Sequence, residues 1–312
     1  MLPKVSVIIP CYNSASFVTD AIDSVMQQTY KELEVIAVDN NSTDNTWSVL
    51  EVEREKYNEK LTILKELNPG APAARNKGLN TATGKYIQFL DADDILFPQK
   101  IEHQVSLFEK EAGAAFMASA YADQDMKGNL KEKLIKVDHV NNWCNLIYSE
   151  LGRTSANFWK KENLNEVEGW DESLSSSQEY DLMFRLMKNK QHVIVDNVVN
   201  TIRRERATGQ ISKSNSKKRF NNFFRLRIKI IEYLESNNPE LFQKNKRTFD
   251  QALFDGLRIL ASSDLPKAKY YFKECFPSGY KPIVSEWTTP SYIKIYNIFG
   301  FSTTERIKRL IS

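Results

Sequence analysis

Three acidic positions invite a chemical reading: the run Asp91-Ala92-Asp93-Asp94, Asp39 and Glu179. Carboxylate oxygens are hard donors of the kind Mg²⁺ and Mn²⁺ accept, and a cation so held stabilises charge growing on a phosphate leaving group. In extended backbone alternate side chains point to opposite sides, so Asp91 and Asp93 are expected to share one side and face the same metal or ribose. The bland use of the run is a solvated turn with Asp94 capping the next helix. Asp39, in AVDNNSTDNT, is placed to accept hydrogen bonds from a base or ribose, with Asn41 taking left-handed backbone to bring the chain round; a plain strand-to-helix turn would look the same. Glu179 reads as a general base or as a surface residue favoured by a helix dipole. Asp181 and Arg185, four residues apart, read as a structural pair.

These groups need a scaffold, and the apolar pattern supplies one. Val5–Ile9, Leu33–Val38, Leu61–Leu64 and Tyr86–Leu90 are short β-branched or apolar runs. Between them, helical spacing covers 15–28, about 44–57 with Ser42 or Thr43 as N-cap, and 73–80; Pro98 opens a further helix over 99–110. Nearly continuous apolar strands alternating with helices predict a parallel sheet covered on both faces, whose ligands bind beyond the strand carboxyl ends. Pro10-Cys11-Tyr12-Asn13, Asp39-Asn40-Asn41 and the acidic run all follow strands, so three polar constellations are expected on one edge. Beyond, a strand at 116–120, a helix at 179–188 and a strand at 192–196 are expected. After a boundary near 212 only helices are read: a stripe of Phe220, Phe223, Phe224, Ile228, Ile231 and Leu234, then 239–260, 265–275 and 304–311.

Composition bounds the rest. The chain has 312 residues, 41% of them apolar, enough for an α/β domain with a helical appendage. With 43 basic against 40 acidic residues, the net charge of +3 decides nothing about a nucleic-acid partner, and no motif asks for one. Cys11, Cys144 and Cys275 are scattered without a CxxC pair, which fits a reducing cytoplasm better than a zinc site or disulfide framework. No apolar run approaches the roughly 18 residues of a membrane span or the form of a signal peptide, so the expectation is a soluble or peripheral protein. The aromatic and basic faces at 220–233 and 292–308 suit the inner face of a membrane or a homodimer, although core contact is the commoner use of such stripes.

The segments VSVIIPCYN, VIAVDNNSTDNT, NPGAPAARNKGLNTATGKYIQFLDADD and GWDESLSSSQEYDLMFRL, in this order, resemble family 2 glycosyltransferases of the inverting GT-A class over about residues 3–212. The resemblance implies an α/β fold with a Rossmann-like, mostly parallel central sheet flanked by helices, a nucleotide half over about 1–95, an acceptor half over about 96–212, and here a C-terminal helical extension over 213–312. It implies a nucleotide-sugar donor, a glycan or lipid-linked acceptor, and Mn²⁺ or Mg²⁺. Carried over residue by residue, Pro10, Tyr12, Asn13 and Asp39 surround the nucleoside, with Asp39 on the uracil edge. Arg75 and Asn76 lie near the diphosphate or ribose, Asp91 and Ala92 at the ribose or sugar, and Asp93 on the metal.

The pattern also departs from the family in three places. Its acidic Glu-Asp pair is Gln178-Glu179 here, which makes Glu179 the candidate base with a carboxylate displaced by roughly an ångström. Its Asp-Asp-Gly is Asp39-Asn40-Asn41, one carboxylate fewer near the base. Its His after the last core strand is replaced by Ile202-Arg203-Arg204-Glu205-Arg206, so either Glu205 substitutes as an oxygen ligand of the metal or the arginines, Arg206 among them, neutralise the diphosphate directly; a solvated basic loop would look the same. The loop 208–212 is expected to act as a lid. The implied reaction is a single displacement with inversion, in cell-surface polysaccharide or glycan synthesis. The alternatives are a sugar nucleotidyltransferase, which normally needs a glycine-rich N-terminal loop that VIIPCYNSASF lacks, and a non-catalytic nucleotide- or glycan-binding relative. An oxidoreductase is disfavoured because no GxGxxG follows the first strand.

Overall fold

A computed structural model describes residues 2–111, 113–135, 141–190, 192–205 and 216–311. The chain forms two compact units, Met1–Gln210 and Ile211–Ser312. In the first, the order is β1 (Val5–Cys11), α1 (Val18–Met26), β2 (Leu33–Asp39), α2 (Thr46–Tyr57), β3 (Leu61–Lys65), α3 (Ala71–Thr81), β4 (Tyr86–Phe89), β5 (Ile95–Leu96) and α4 (Lys100–Lys110). It continues through β6 (Phe116–Ser119), β7 (Tyr121–Gln124), β8 (Leu130–Lys133), α5 (Asn142–Tyr148), β9 (Phe158–Lys160), α6 (Lys161–Glu166), α7 (Gln178–Asn189), β10 (Ile194–Asp196) and β11 (Thr201–Arg204).

The predicted parallel sheet is present, and the two crossovers that build it set the site. Its strand order is β10-β6-β9-β4-β1-β2-β3. β1 pairs in parallel with both β2 and β4, so the chain winds outward to β3 and then crosses back through α3 to the other side of β1. That reversal opens a crevice at the carboxyl ends of β1 and β4, the place where open α/β sheets bind ligands. Buried Val18, Ala21, Ile22 and Val25 repeat at helical spacing and seat α1 against the sheet. Helix α3 approaches β1 so closely that a Cβ on Gly78 would collide with Ile8.

Some expectations were displaced. Strand β9 enters the sheet antiparallel to β4 and β6, its Trp159 facing Ile87 on one side and Phe116 on the other. A second sheet, β5-β11-β7-β8, was not anticipated from the sequence, nor were α5 and α6. The N-cap position of α2 is Asn45, which makes no side-chain cap bond; Asp44, one residue before it, accepts from the Thr46 N–H at 3.0 Å through Oδ1, while Ser42 and Thr43 bond to Asn13. Helix α1 begins at Val18, three residues later than its apolar spacing implied.

The second unit contains α8 (Ser216–Asn237), α9 (Pro239–Ser263), α10 (Leu265–Cys275) and α11 (Pro290–Ile311), with a break in α11 at Gly300, whose φ of +70° suits glycine. The aromatic stripe is core: Phe224 is buried, Phe220, Ile228 and Ile231 pack beside it, and Phe254 meets Tyr280, Tyr292, Tyr296 and Phe301. Those rings pack inside the unit, while Ile298 and Phe299 of the 292–308 face are exposed. Arg258 and Glu305 form a buried pair at 3.0 Å. Among the described residues no helix is long and apolar enough to cross a membrane.

Candidate active site

Two loops beyond β1 and β2 are locked together by their polar side chains. Asn13, at φ +47°, donates its N–H to Ser42 Oγ at 3.1 Å, and its Oδ1 accepts from the Thr43 N–H at 2.8 Å. Pro10 is half-buried and Tyr12 exposed above this join. Asp39 ends β2 in register with Cys11; it is buried, and its Oδ1 has no hydrogen-bond partner among the described residues. Desolvating a carboxylate oxygen without a partner is costly, so Asp39 Oδ1 is left with capacity to accept from a donor outside the described residues.

Asn40 explains its own presence. Its amide donates to the carbonyls of Glu66 at 2.9 Å and Asn68 at 2.7 Å and accepts from the Gly70 N–H at 2.7 Å. A carboxylate could not make the two donations. Asn41 takes the expected left-handed backbone, φ +60°.

The acidic run is a turn, not extended chain: the Asp94 N–H donates to the Asp91 carbonyl at 2.9 Å. Asp91 and Asp93 are nonetheless both half-buried, while Ala92 and Asp94 are buried, so the two predicted side chains do keep a partly open aspect. Asp94 caps no helix. Its Oδ1 accepts from the Arg204 N–H at 3.2 Å and so ties β11 to the turn. Burial, and then the charges of Asp91 and Asp93, push its carboxyl well above the usual range. The Asp91 N–H is held by Ser155 Oγ at 3.0 Å.

Arg75 is the hub of the site. From α3 its Nη2 reaches Asp91 Oδ1 at 2.7 Å and its Nη1 reaches Gln178 Oε1 at 3.3 Å, while the guanidinium lies 4.5 Å from the centre of the Trp170 ring. Asn76 instead exchanges bonds with the Trp170 backbone, 2.8 and 2.9 Å, and donates to Glu172, so it fixes the loop that carries Trp170. Gln178 opens α7, which puts Glu179 in that helix's first turn, half-buried and 3.3 Å from Arg153 Nη1. Asp181 and Arg185 pair at 2.8 Å as expected.

Behind the turn lies a core polar knot that the sequence did not announce. Lys100 Nζ, fully buried, bonds Gln88 Oε1 at 2.7 Å, Gln104 Oε1 and the Ala156 carbonyl at 2.9 Å, while Gln88 holds the Ser155 carbonyl at 2.9 Å. Burial pulls the Lys100 ammonium down to about 7, against the opposing field of Asp196.

Could this site take a divalent cation? Among the described residues no three His, Cys, Asp or Glu side chains are grouped to hold a metal. His103 pairs with Asp196 and His192 with Glu111, and His139 lies outside the described residues. Glu205 follows Arg204, whose Nε bonds the Asp93 carbonyl, so it sits one residue beyond the strand end pinned to the turn. Oxygen donors from one or two carboxylates, completed by substrate phosphates and water, are an ordinary set for Mg²⁺ or Mn²⁺; the half-buried Asp93 and the exposed Glu205 are carboxylates of that chemical type. Arg206 and the loop 208–212 lie outside the described residues.

The family model for glycosyl transferase family 2 matches residues 6–167, just over half of the chain. The chain belongs to this family. As a family 2 glycosyltransferase it is 31% identical over 192 residues to an uncharacterized glycosyltransferase of Rickettsia bellii, covering 60% of this chain and 28% of that one. It is 39% identical over 134 residues to the putative teichuronic acid biosynthesis glycosyltransferase TuaG of Bacillus subtilis, 43% of this chain and 52% of that. The match spans about a third of the length of four of the Rickettsia relatives, 28 to 33%, and 59% of a fifth. Among solved structures, S. aureus TarS 1-349 with UDP-GlcNAc aligns at TM-score 0.62 and 18% identity over 98% of this chain and 92% of that one. The mannosyltransferase PcManGT of Pyrobaculum calidifontis, with GDP-Man and Mn²⁺, aligns at 0.59 and 18% over 99% and 88%. At these identities the two structures establish the fold: the GT-A α/β arrangement with its C-terminal helices.

Several site residues were not legible beforehand. Ser155, Trp170 and Arg153 reach the site from loops far along the chain, and nothing local in RTSAN or EGWDE marks them. Gln178 had been singled out only as the neutral member of a pair; its bond to Arg75 gives it work.

Proposed function

We propose that this chain is an inverting transferase that moves a sugar from a nucleoside-diphosphate donor, UDP-linked by preference, to an acceptor hydroxyl in the making of a cell-surface glycan. One observation carries the reading: Arg75 bonds both Asp91 in the acidic turn and Gln178, the residue before Glu179, so one guanidinium ties the acidic turn to the start of the helix that carries the candidate base. The UDP-GlcNAc held by TarS and the GDP-Man held by PcManGT support a nucleotide sugar as donor. TuaG's assignment to teichuronic acid biosynthesis supports a polymeric glycan as product.

In this reading the nucleoside lies over Pro10, Tyr12 and Asn13, and the unsatisfied Asp39 Oδ1 accepts from the base edge. Asp93, with Glu205, would hold Mn²⁺ or Mg²⁺, which supplies neutralising charge to the departing diphosphate. Arg75 orients Asp91 toward the donor ribose or sugar. Glu179 takes the proton from the acceptor hydroxyl as its oxygen attacks the anomeric carbon from the side opposite the diphosphate. The attack is a single displacement, so the configuration inverts. Cys11, Cys144 and Cys275 form no disulfide among the described residues, which is compatible with a cytoplasmic setting.

The test follows nucleotide release from UDP-GlcNAc and GDP-mannose with Mn²⁺, in the wild type, Glu179→Gln and Asp93→Ala. The Gln variant should bind nucleotide normally while turnover falls about 10²- to 10⁴-fold. The Ala variant should lose metal-dependent nucleotide binding. Turnover by Glu179→Gln at the wild-type rate removes Glu179 from the role, and pyrophosphate release in place of nucleoside diphosphate identifies a nucleotidyltransferase.

A further inference from the structure

Arg153 stands beside the candidate base in a way that stability alone does not account for. Its Nη1 lies 3.3 Å from Glu179 Oε1, a single contact, longer than the roughly 2.7–2.9 Å of a strong charge-assisted bond. The two side chains are 40% and 23% exposed, and a pair so exposed contributes on the order of 1 kcal/mol or less. Yet the guanidinium is carefully placed. Nε donates to Tyr121 Oη at 3.3 Å, and Tyr121 is buried. The Arg153 carbonyl accepts from the N–H groups of Ala156 and Asn157. The preceding loop is pinned to α7 by Tyr180 Oη, which donates to the Ser149 and Gly152 carbonyls at 2.6 and 3.0 Å. Nη2 makes no hydrogen bond to the described residues. A second guanidinium, Arg203, lies 5.8 Å from the centre of the Tyr121 ring and is neutralised by Asp123 at 2.6 Å.

We infer that Arg153 selects an acceptor bearing a negative charge close to its accepting hydroxyl. The inference rests on Glu179 being the base. Glu179 Oε1 is engaged by Arg153, which leaves Oε2 for the hydroxyl proton. An anion seated on Nη1 and Nη2 gains the paired geometry that Glu179 does not provide, and it lies next to that hydroxyl. The hydroxyl and the charged group must then be only a few bonds apart, as in a uronic acid or a polyol phosphate. A neutral sugar in the same place leaves the guanidinium with its one long contact. Carboxylate and phosphate share this chemistry, and the experiment separates them.

The full chain is saturated with UDP and Mn²⁺, so that the diphosphate position is filled, and titrated by calorimetry with four probes: sn-glycerol 3-phosphate, glycerol, D-glucuronate and D-glucose. Wild type should bind one anionic probe at least tenfold tighter than its neutral counterpart; which one names the charged group. Arg153→Met should lose that preference while still binding UDP, and Arg153→Lys should regain part of it. Glu179→Gln should keep it. A wild type with no preference overturns the inference, as does an Arg153→Met or Arg153→Lys protein that retains it in full. Nucleotide release indifferent to Glu179→Gln would instead count against the base assignment, leaving the measured preference to be judged by itself.

Discussion

Arg75 Nη2 lies 2.7 Å from Asp91 Oδ1, and the same guanidinium reaches Gln178 Oε1 at 3.3 Å. Arg75 is buried, whereas Asp91 is 40% exposed, so water can replace the arginine at the aspartate but not at the buried end. Arg75→Met is therefore expected to destabilise the protein by about 1–3 kcal/mol, the range for hydrogen bonds to charged groups and their orphaned partners. Arg75→Lys should recover the Asp91 contact but not the bond to Gln178, because a point ammonium lacks the fork. Urea unfolding of the three proteins checks this; a Met variant within 0.5 kcal/mol of wild type would show that the hub adds no stability.

Asn40→Asp tests whether the amide is structural. The substitution keeps shape but points carboxylate oxygens at the Glu66 and Asn68 carbonyls, where the amide had donated. The expected cost is about 2–4 kcal/mol, two lost donations among buried acceptors. A melting temperature unchanged by this substitution would contradict the assignment.

Lys100 sets a pH dependence whose sign can be stated. Its ammonium falls from the ordinary 10.5 to about 7 in the folded protein, so between those values the unfolded chain binds a proton that the folded chain does not. Stability from this group is thus fully present above 10.5 and is lost as pH falls toward 7. Relative to Lys100→Met, the wild type should gain stability from pH 7 to 10, with a slope of at most about 1.4 kcal/mol per pH unit. Parallel urea titrations at several pH values measure the difference, and a flat or falling difference would refute it.

In the helical unit, Arg258 and Glu305 are both almost fully buried and 3.0 Å apart. Removing one partner strands the other, so Glu305→Ala should cost about 3–5 kcal/mol. Glu305→Gln, which can still accept, should cost less. Thermal unfolding followed by helical circular dichroism distinguishes the two; equal losses would mean that packing, not charge, dominates.

The sequence made the parallel half of the molecule readable because each of its strands is a mostly apolar run and helices alternate with them. Asp39, Asn41 and the acidic run announced themselves by following such runs. What stayed hidden is non-local. Strand β9 is three residues long, and its Trp159 pairs with strands far earlier in the chain. Ser155 and Arg153 matter through a loop whose path depends on that pairing. The acidic turn was misread as extended because Asp94's partner, the Arg204 N–H, arrives from β11. The aromatic stripe of α8 gave the right helix, but whether its face was inside or outside depended on Phe254 and its neighbours.

The antiparallel insertion of β9 also bears on how the protein is made. Strands β1 to β4 can assemble as they leave the ribosome, β1 to β3 through short crossovers between neighbours and β4 by the return across the sheet to β1. The outer edge of β4, carrying Tyr86 and Ile87, has no partner until Phe158–Lys160 has been synthesised, and β6 has nothing linking it to β4 until then. A nascent chain paused before Trp159 thus displays an open, apolar strand edge, the kind of surface that chaperones capture and that otherwise pairs with another chain. The β4 edge is therefore covered only once residues 158–160 have been made.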